Sequence, residues 1–474
     1  MKPDRDALGP NRVAGQPRHR VMGSGAGGSA VLLAYDALVP LLRLGARAGA
    51  FVLPKLRAGL AGRRGLRARW GERARQHTGP WVWMHAASVG EYEQARPVAA
   101  LLRQQHPEIA VLHTFFSPSG YEYARRLGEA QHLDYLPEDT RGAVGAALDV
   151  LQPRALVLLK FDVWPNLVVE AHRRGVAVLL LDATLQPHSW RSRWPARALY
   201  RAVYERLAVI SAVTDADAAR FRTLVPDHPA LSVDGDTRYD QVHQRRQAAR
   251  RVALAPDLVT APRPFTLVAG STWAADEQRV VAAWLHLLEH SKLSSQPTPQ
   301  KRLILVPHEP TETHLVGLER RLAQAGLTSR RYGDVVANGI REAGVVIVDR
   351  VGILAELYAA GDAAYVGGAF GTGVHNLLEP GILGLPLLFG PKHHNAPEAS
   401  AFLEAGAASV IRSGADLAAA LVVLAADEDE RTRRGGRARA CVEANFGASQ
   451  RGYAHLARIL DGVAAPPVHE GARR

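Results

Sequence analysis

The sequence predicts an α/β protein of two Rossmann-like domains, and three observations carry that prediction. Apolar runs of strand length alternate with helix-patterned segments, the mark of βαβ units and parallel sheets. The runs fall into two sets separated by a charged, then proline-containing connector at 246–264. A length of 474 residues exceeds what one core serves.

Residues 1–28 are polar and glycine-rich and are expected to be disordered. They look unlike anything that follows, so Met22 competes with Met1 as the start. The next segment, 29–75, opens with SAVLLAYDALVPLLRLGARAGAFVL. Asp36, Arg43 and Arg47 interrupt it, so it lacks the roughly 18 apolar residues a spanning helix needs. Those three fall on one helical stripe. Between Lys55 and Arg75 lie eight basic residues and one acid, Glu72. An apolar helix with a thin polar stripe, followed by arginines, predicts an interfacial anchor on an anionic membrane surface. The alternative is an amphipathic helix packed on its own domain. No small-residue cleavage site follows, which disfavours a signal peptide.

The first domain is expected over 76–245, with strands at WVWM (81–84), IAVLHTF (109–115), ALVLL (155–159), VAVLLL (176–181) and LAVISAV (207–213). The second is expected over 265–445, with strands at FTLVAGS (265–271), KRLILVPH (301–308), GVVIVD (344–349), AAYVGG (363–368) and PLLFG (386–390). Residues 446–474 should form a C-terminal helix and tail. A ligand would sit at the carboxyl ends of the strands, in the cleft between the domains.

The formal net charge of +12 points to an anionic partner. A single cysteine, Cys441, excludes an intramolecular disulfide framework and a Cys-rich metal site. A nucleic-acid-binding protein is one class the charge admits. Against it, the charge clusters beside an apolar helix and no interleaved aromatic platform is visible.

Several strand ends carry residues capable of chemistry. In SVGE (88–91), Ser88 and Gly90 precede Glu91; the glycine permits a tight turn that aims the carboxylate at the cleft. An ordinary helix-start acid explains the same spacing, and on spacing alone it is the stronger reading. In SPSG (117–120), Ser117 or Ser119 could cap a helix whose free N–H groups hold an anion, or simply cap it. KFDVWPN (160–166) places Lys160 and Asp162 at a strand tip beside Trp164. GSTW (270–273) offers Ser271 and Thr272 as a phosphate cradle, and His308 closes the following strand. The richest stretch, 365–399, combines Gly367, Gly368, Gly371 and Gly373 with His375, Asn376 and Glu379. Glycines let a ligand approach the backbone, and a carboxylate can accept both hydroxyls of a ribose. Lys392, His393 and His394 add positive charge. A three-histidine metal site is the rival there and is disfavoured.

Taken in order, HAASVGE (85–91), SPSGYEYA (117–124), YLPEDT (135–140), DVWPN (162–166), GDTRYDQV (235–242), GSTW, VPHEP (306–310), DRVGILAELYAAGDAAYVGGAF (349–370) and HNLLEPGILGLPLLFGPKHHN (375–395) resemble the 3-deoxy-D-manno-octulosonic acid (Kdo) transferases of lipopolysaccharide synthesis. The likeness spans roughly 30–460. It implies the GT-B architecture and inverting transfer of Kdo from CMP-Kdo to a lipid A precursor. It also implies action at the cytoplasmic face of the bacterial inner membrane, without metal, cofactor or nucleic acid. It assigns Glu91 as general base and the CMP phosphate to Ser271, Thr272, His308 and the 366–375 loop. The donor nucleotide falls to Asn376 and Glu379, with Glu379 at the ribose. Ser88, Gly90, Ser117, Ser119, Lys160 and Asp162 become acceptor-side candidates. Departures stand at Lys160, where the family carries an acid; at His308, where an arginine is common; and at Asp182-Ala183-Thr184, where an arginine is again missing. A related GT-B enzyme using another activated sugar is the competing expectation.

Overall fold

A computed structural model describes residues 26–249, 254–259, 264–293, 300–340 and 344–462. Met22, residues 1–25 of the segment 1–28 expected to be disordered, connector residues 250–253 and 260–263, and the end of the tail lie outside them; residues 26–28 instead open a helix, and Pro256–Val259 within the connector is helical.

Two parallel sheets organise these residues. The first joins β1 (Trp81–Ala86), β2 (Ala110–Phe115), β3 (His132–Tyr135), β4 (Ala155–Leu159), β5 (Ala177–Ala183), β6 (Val209–Ala212) and β7 (Leu231–Val233) in the order β3-β2-β1-β4-β5-β6-β7. The second joins β8 (Phe265–Thr272), β9 (Lys301–Pro307), β10 (Ser329–Arg331), β11 (Val345–Ile347), β12 (Ala363–Val366), β13 (Leu387–Phe389) and β14 (Ala408–Val410) in the order β10-β11-β9-β8-β12-β13-β14. This is the expected α/β fold of two Rossmann-like halves. Every run read from the sequence became a strand. The strands not foreseen are β3, β7, β10 and β14, and all four are edges.

Each sheet is covered on both faces, which is why its central strands read as unbroken apolar runs. Trp81 and Trp83 join one core layer of the first sheet, while Val82 and Met84 join the other. Trp83 is held edge-on by Trp70 at 4.9 Å and donates through Nε1 to Thr114 Oγ1 at 2.7 Å. The C-terminal helix Ala448–Leu460 crosses back to the first domain. Its Leu456 and Leu460 enter the layer of Val82 and Met84. Asp240 caps its start, accepting from Gly447 N at 2.8 Å and Ser449 N at 2.6 Å. Asp240 belongs to the helix Thr237–Ala249, which lies between the two sheets. That helix starts on the first domain: Asp182 accepts from Thr237 N at 2.8 Å and from its hydroxyl at 2.5 Å. Burial and the neighbouring Asp236 push the Asp182 carboxyl up. Asp182 is therefore an anchor for the interdomain helix.

Among the described residues no helix is long and apolar enough to cross a membrane. The helix Ala26–Gly49 docks on the first domain through its polar stripe. Tyr35 donates to Asp139 at 2.7 Å, Asp36 pairs with Arg141 at 3.2 Å, and Arg43 pairs with Glu138. Leu32 is buried in the first domain's core, while the other leucines point outward: Leu33, Leu38, Leu41, Leu42 and Leu44 are 48–68% exposed, and Phe51 beyond them is 89% exposed. The basic segment divides in two. Arg69 and Arg73 converge on buried Asp134 at 2.6 and 2.7 Å, and Arg63 turns inward onto backbone carbonyls. Those three are structural, which narrows the expected basic face to the exposed remainder, Lys55, Arg57, Arg64, Arg67 and Arg75.

His113 on β2 is fully buried beneath Tyr92, with Nδ1 unpartnered. Burial, reinforced by Arg103, pulls its pKa down to about 3. Its folded pKa thus lies below the unfolded one near 6.5, so the associated stability is complete above pH 6.5 and is lost as pH falls through it. Chemical denaturation of wild type and His113→Leu should show it. The stability difference between them should move by about 2 kcal/mol against wild type from pH 7 to pH 5. An unchanged difference would place the histidine's titration elsewhere.

Candidate active site

Both sheets reverse their strand order beside a domain's first strand. β1 lies between β2 and β4, and β8 between β9 and β12. Adjacent loops diverge at such a point and leave a crevice outside the carboxyl ends. The motifs read from the sequence sit on these loops.

After β1, Ser88 takes the N-cap position of the helix Val89–Gln105, and Glu91 is its third residue, 8% exposed. Ser88 and Glu91 close a capping box. Glu91 Oε2 accepts from Ser88 N at 3.1 Å and from the Ser88 hydroxyl. Oε1 has no recorded partner among the described residues. Glu91 is therefore a helix-start acid with one oxygen in reserve. Gly90 does not make the turn, contrary to the sequence reading. It is the helix's second residue, and a Cβ there would meet nothing nearer than Ser88 Oγ at 3.8 Å.

The loop after β2 joins this tip, since Ser117 N donates to Ala87 O at 3.0 Å. Ser117 caps the helix Pro118–Leu127 by accepting from Gly120 N at 3.1 Å, and its hydroxyl meets that of Ser119 at 3.1 Å. A Cβ at Gly120 would crowd the Phe115 ring at 2.9 Å and the Ser88 carbonyl carbon at 3.2 Å, so the two loops approach closely here.

The loop after β4 arrives on the other flank. Asp162 is held by His85 Nε2 at 2.8 Å and Trp164 Nε1 at 3.0 Å. Burial opposes its ionisation, but those two hydrogen bonds prevail and hold the carboxyl below its usual range. Asp162 thus orients His85. Lys160 occupies the left-handed region at φ 56°, strain that non-glycine residues carry at functional loops.

In the second domain, β8 ends in a register shift between Gly270 and Thr272, with Ser271 also left-handed at φ 52°. Thr272 is buried, and its hydroxyl sits 3.5 Å from Val306 O. Three rings from three motifs stack: Trp273 on His308 at 4.8 Å, and His308 on His375 at 4.4 Å. Trp273 Nε1 donates to His375 Nε2 at 3.2 Å. Burial, then the adjacent His308, lowers the His375 pKa.

The glycine loop folds tightly beside the stack. Gly368 has φ 93° and Gly373 has φ 141°. Gly371 N donates to Gly368 O at 2.8 Å. Lys392 Nζ reaches Gly371 O at 3.1 Å, and Asn395 braces Val374 through both its N–H and C=O. Exposed Asn376 caps the backbone of Leu378 at 2.9 Å. His393 instead packs on Phe389 at 5.3 Å. Among the described residues no three His, Cys, Asp or Glu side chains converge as a metal would require.

Glu379 is paired with Arg245 at 2.8 Å. Burial raises its pKa, Arg245 counters, and Glu356 and Glu93 add to the rise. Arg245 lies on the interdomain helix. One turn earlier, Gln241 donates to Glu93, which also accepts from Tyr123 at 2.7 Å. Glu93 follows SVGE and Tyr123 follows SPSG, so one charged network links both candidate halves.

The sequence reading missed Arg245, Glu93 and Asp276 as site builders. Buried Asp276 accepts from Trp273 N at 3.0 Å, Gly368 N at 3.0 Å and Tyr365 OH at 2.8 Å. It thereby ties the glycine loop to the start of the helix Ala274–Leu293. Its only local signal is an acid three residues after the tryptophan that follows the strand.

Comparison with known proteins adds the following. The model for 3-deoxy-D-manno-octulosonic-acid transferases (kdotransferases) matches residues 64–241. A 3-deoxy-D-manno-octulosonic acid transferase of Haemophilus influenzae is 27% identical over 374 residues, covering 78% of this chain and 85% of the relative. Another, from Bordetella pertussis, is 29% identical over 382 residues, with 78% and 85% covered. Among solved structures, UDP-GlcNAc 2-epimerase from Neisseria meningitidis bound to UDP-GlcNAc superimposes with a TM-score of 0.53 at 13% identity, over 80% of this chain and 100% of that one. At that identity the likeness concerns the two-domain fold alone.

Proposed function

The chain belongs to the 3-deoxy-D-manno-octulosonic acid (Kdo) transferase family and is a glycosyltransferase of GT-B architecture, and from that premise we propose that it moves Kdo from CMP-Kdo to a lipid A precursor with inversion. The observation that carries this reading is the charged network joining Glu93 and Tyr123, beside the SVGE and SPSG turns, to Glu379 through Gln241 and Arg245. It draws an acceptor half and a nucleotide half together across one helix.

In this mechanism the acceptor hydroxyl oxygen attacks the anomeric carbon of Kdo as the bond to the CMP phosphate breaks. Glu91 Oε1 takes the hydroxyl proton, while Ser88 keeps Oε2 in place. CMP leaves with the bonding electrons, toward the start of the helix Ala274–Leu293, where the dipole favours negative charge. Ser271, Thr272, His308, Gly367, Gly368, Gly371, Gly373, His375 and Asn376 form the donor cradle. Glu379 receives the ribose hydroxyls, and the pairing with Arg245 holds its carboxyl in place for that purpose. Ser117 and Ser119 line the acceptor path, with Lys160 at its far flank. The outward leucines of Ala26–Gly49 and the exposed arginines support work at the cytoplasmic face of the inner membrane, where an acylated acceptor resides.

Incubating the purified protein in detergent with CMP-Kdo and lipid IVA tests this. Mass spectrometry should show the acceptor gaining Kdo. Transfer only from a different activated sugar would overturn the donor assignment, and no transfer would overturn the reaction.

A further inference from the structure

Trp273, His308 and His375 come from three strand ends and meet as one stack beside the start of the helix Ala274–Leu293. Backbone bonds seat the two histidines there: His308 N donates to Thr272 O at 2.9 Å, and His375 N donates to Gly367 O at 3.1 Å. Their rings lie 4.4 Å apart and within 19° of parallel. The His375 ring also presses on the glycine loop, since a Cβ on Gly368 would stand 2.8 Å from its Cδ2 and 3.0 Å from its Nε2. Position 308 is one of the chain's departures from the Kdo transferase pattern.

An indole N–H can only donate. Trp273 Nε1 donates to His375 Nε2 at 3.2 Å, so that nitrogen offers a lone pair; while the bond stands, the ring is neutral with its proton on Nδ1. Nδ1 has no recorded partner among the described residues. Burial first and His308 second lower the His375 pKa, and Asp276 opposes them. Two imidazoles in this contact hold one proton readily and a second only against like-charge repulsion. The charged groups around them are engaged elsewhere. Asp276 accepts from Trp273 N, Gly368 N and Tyr365 OH, Lys392 Nζ donates to Gly371 O, and Arg279 lies over the Phe370 ring at 3.9 Å. Glu309 follows His308 in the chain and is exposed. The positive charge this stack can offer an anion is therefore one that arrives as a proton.

We propose that the stacked pair His308–His375 takes up one proton from solvent when the donor's phosphate binds, so that nucleotide affinity falls as pH rises through neutrality, with Trp273 as the positioning residue that keeps His375 unprotonated until then. The proposal rests on the donor-cradle reading above. By linkage, phosphate and proton raise each other's affinity by the same factor. The demand for this charge is greatest as CMP departs, because transfer turns a singly charged phosphodiester into a monoester that carries more negative charge.

Calorimetry with the methyl ester of CMP tests this, because its phosphodiester exchanges no proton in the range used. From pH 6 to pH 8 the affinity of wild type should fall by about fivefold or more, and titrations at pH 7 in buffers of different ionisation heat should show uptake of about 0.3–1 proton. His308→Arg replaces the shared proton by a permanent charge; its affinity should vary by less than about twofold over the same range, without proton uptake. Trp273→Phe keeps a ring against His308 and removes the N–H, so its fall in affinity should move to higher pH. Wild-type affinity that is flat with pH, or proton uptake that persists in His308→Arg, overturns the proposal and leaves the donor reading intact. An unmoved profile in Trp273→Phe overturns the role given to Trp273. Failure of wild type to bind CMP or its ester at any pH overturns the donor reading, and the proposal with it.

Discussion

Glu91→Gln is expected to lower turnover by about 10²–10⁴-fold, the usual span for a lost general base, with CMP-Kdo affinity and melting temperature near wild type. In the proposed mechanism the carboxylate serves two purposes that the substitution separates. One oxygen closes the capping box with Ser88 N at 3.1 Å. A glutamine side-chain oxygen can accept that same hydrogen bond, so the helix start survives. What glutamine cannot do is take a proton. Glu91→Ala should lose both functions, adding a stability cost of about 0.5–2 kcal/mol from the missing cap. Steady-state kinetics with thermal unfolding of both variants decides the matter. If Glu91→Gln keeps activity within tenfold, Glu91 is a cap and the base lies elsewhere.

Gly367→Ala should disable the donor side by a different route. Gly367 N donates to Gly270 O at 2.9 Å, so the tips of β12 and β8 are in direct contact. A Cβ would stand 2.4 Å from Ser271 O and 2.9 Å from Thr272 Cα, all rigid backbone. The tips must part, and the stack of Trp273, His308 and His375 opens with them. Overpacking of this kind costs about 1–3 kcal/mol, and CMP affinity by calorimetry should fall at least tenfold. Gly371→Ala is the contrast: its Cβ would meet only Gly368 O at an ordinary 3.5 Å. It should bind CMP within about threefold of wild type, since a normal van der Waals contact carries no strain. Equal behaviour of the two variants would detach the donor site from this backbone contact.

Legibility of the fold followed burial. Central strands such as ALVLL at 155–159 are covered on both faces and so are apolar throughout, which makes them visible. The unforeseen strands, HLDY, LSV, SRR and ASV, each have one neighbour and a partly exposed surface. They need only a few backbone hydrogen bonds, and polar residues suffice. The site divides in the same manner. The glycine loop, GSTW and SVGE announce themselves because they sit at strand ends with their chemistry close in sequence. Asp276 and Arg245 do not, since Asp276 holds Tyr365 and Gly368, 89 and 92 residues away, and Arg245 holds Glu379, 134 residues away.

The sequence alone determined the two α/β halves, the strand tips that carry the motifs, and the family, because those depend on local periodicity and on short residue clusters. Only the tertiary structure decided how the polar and charged groups are spent. Asp36, Arg43, Arg69 and Arg73 turn inward to carboxylates and arginines of the first domain. The leucines beside them turn outward, and Arg57 and Arg64 line a cavity. A charge run reads the same whether its members are paired or free. Pairing is set by which distant acids the fold brings within about 4 Å, and that distance does not exist until the helices dock.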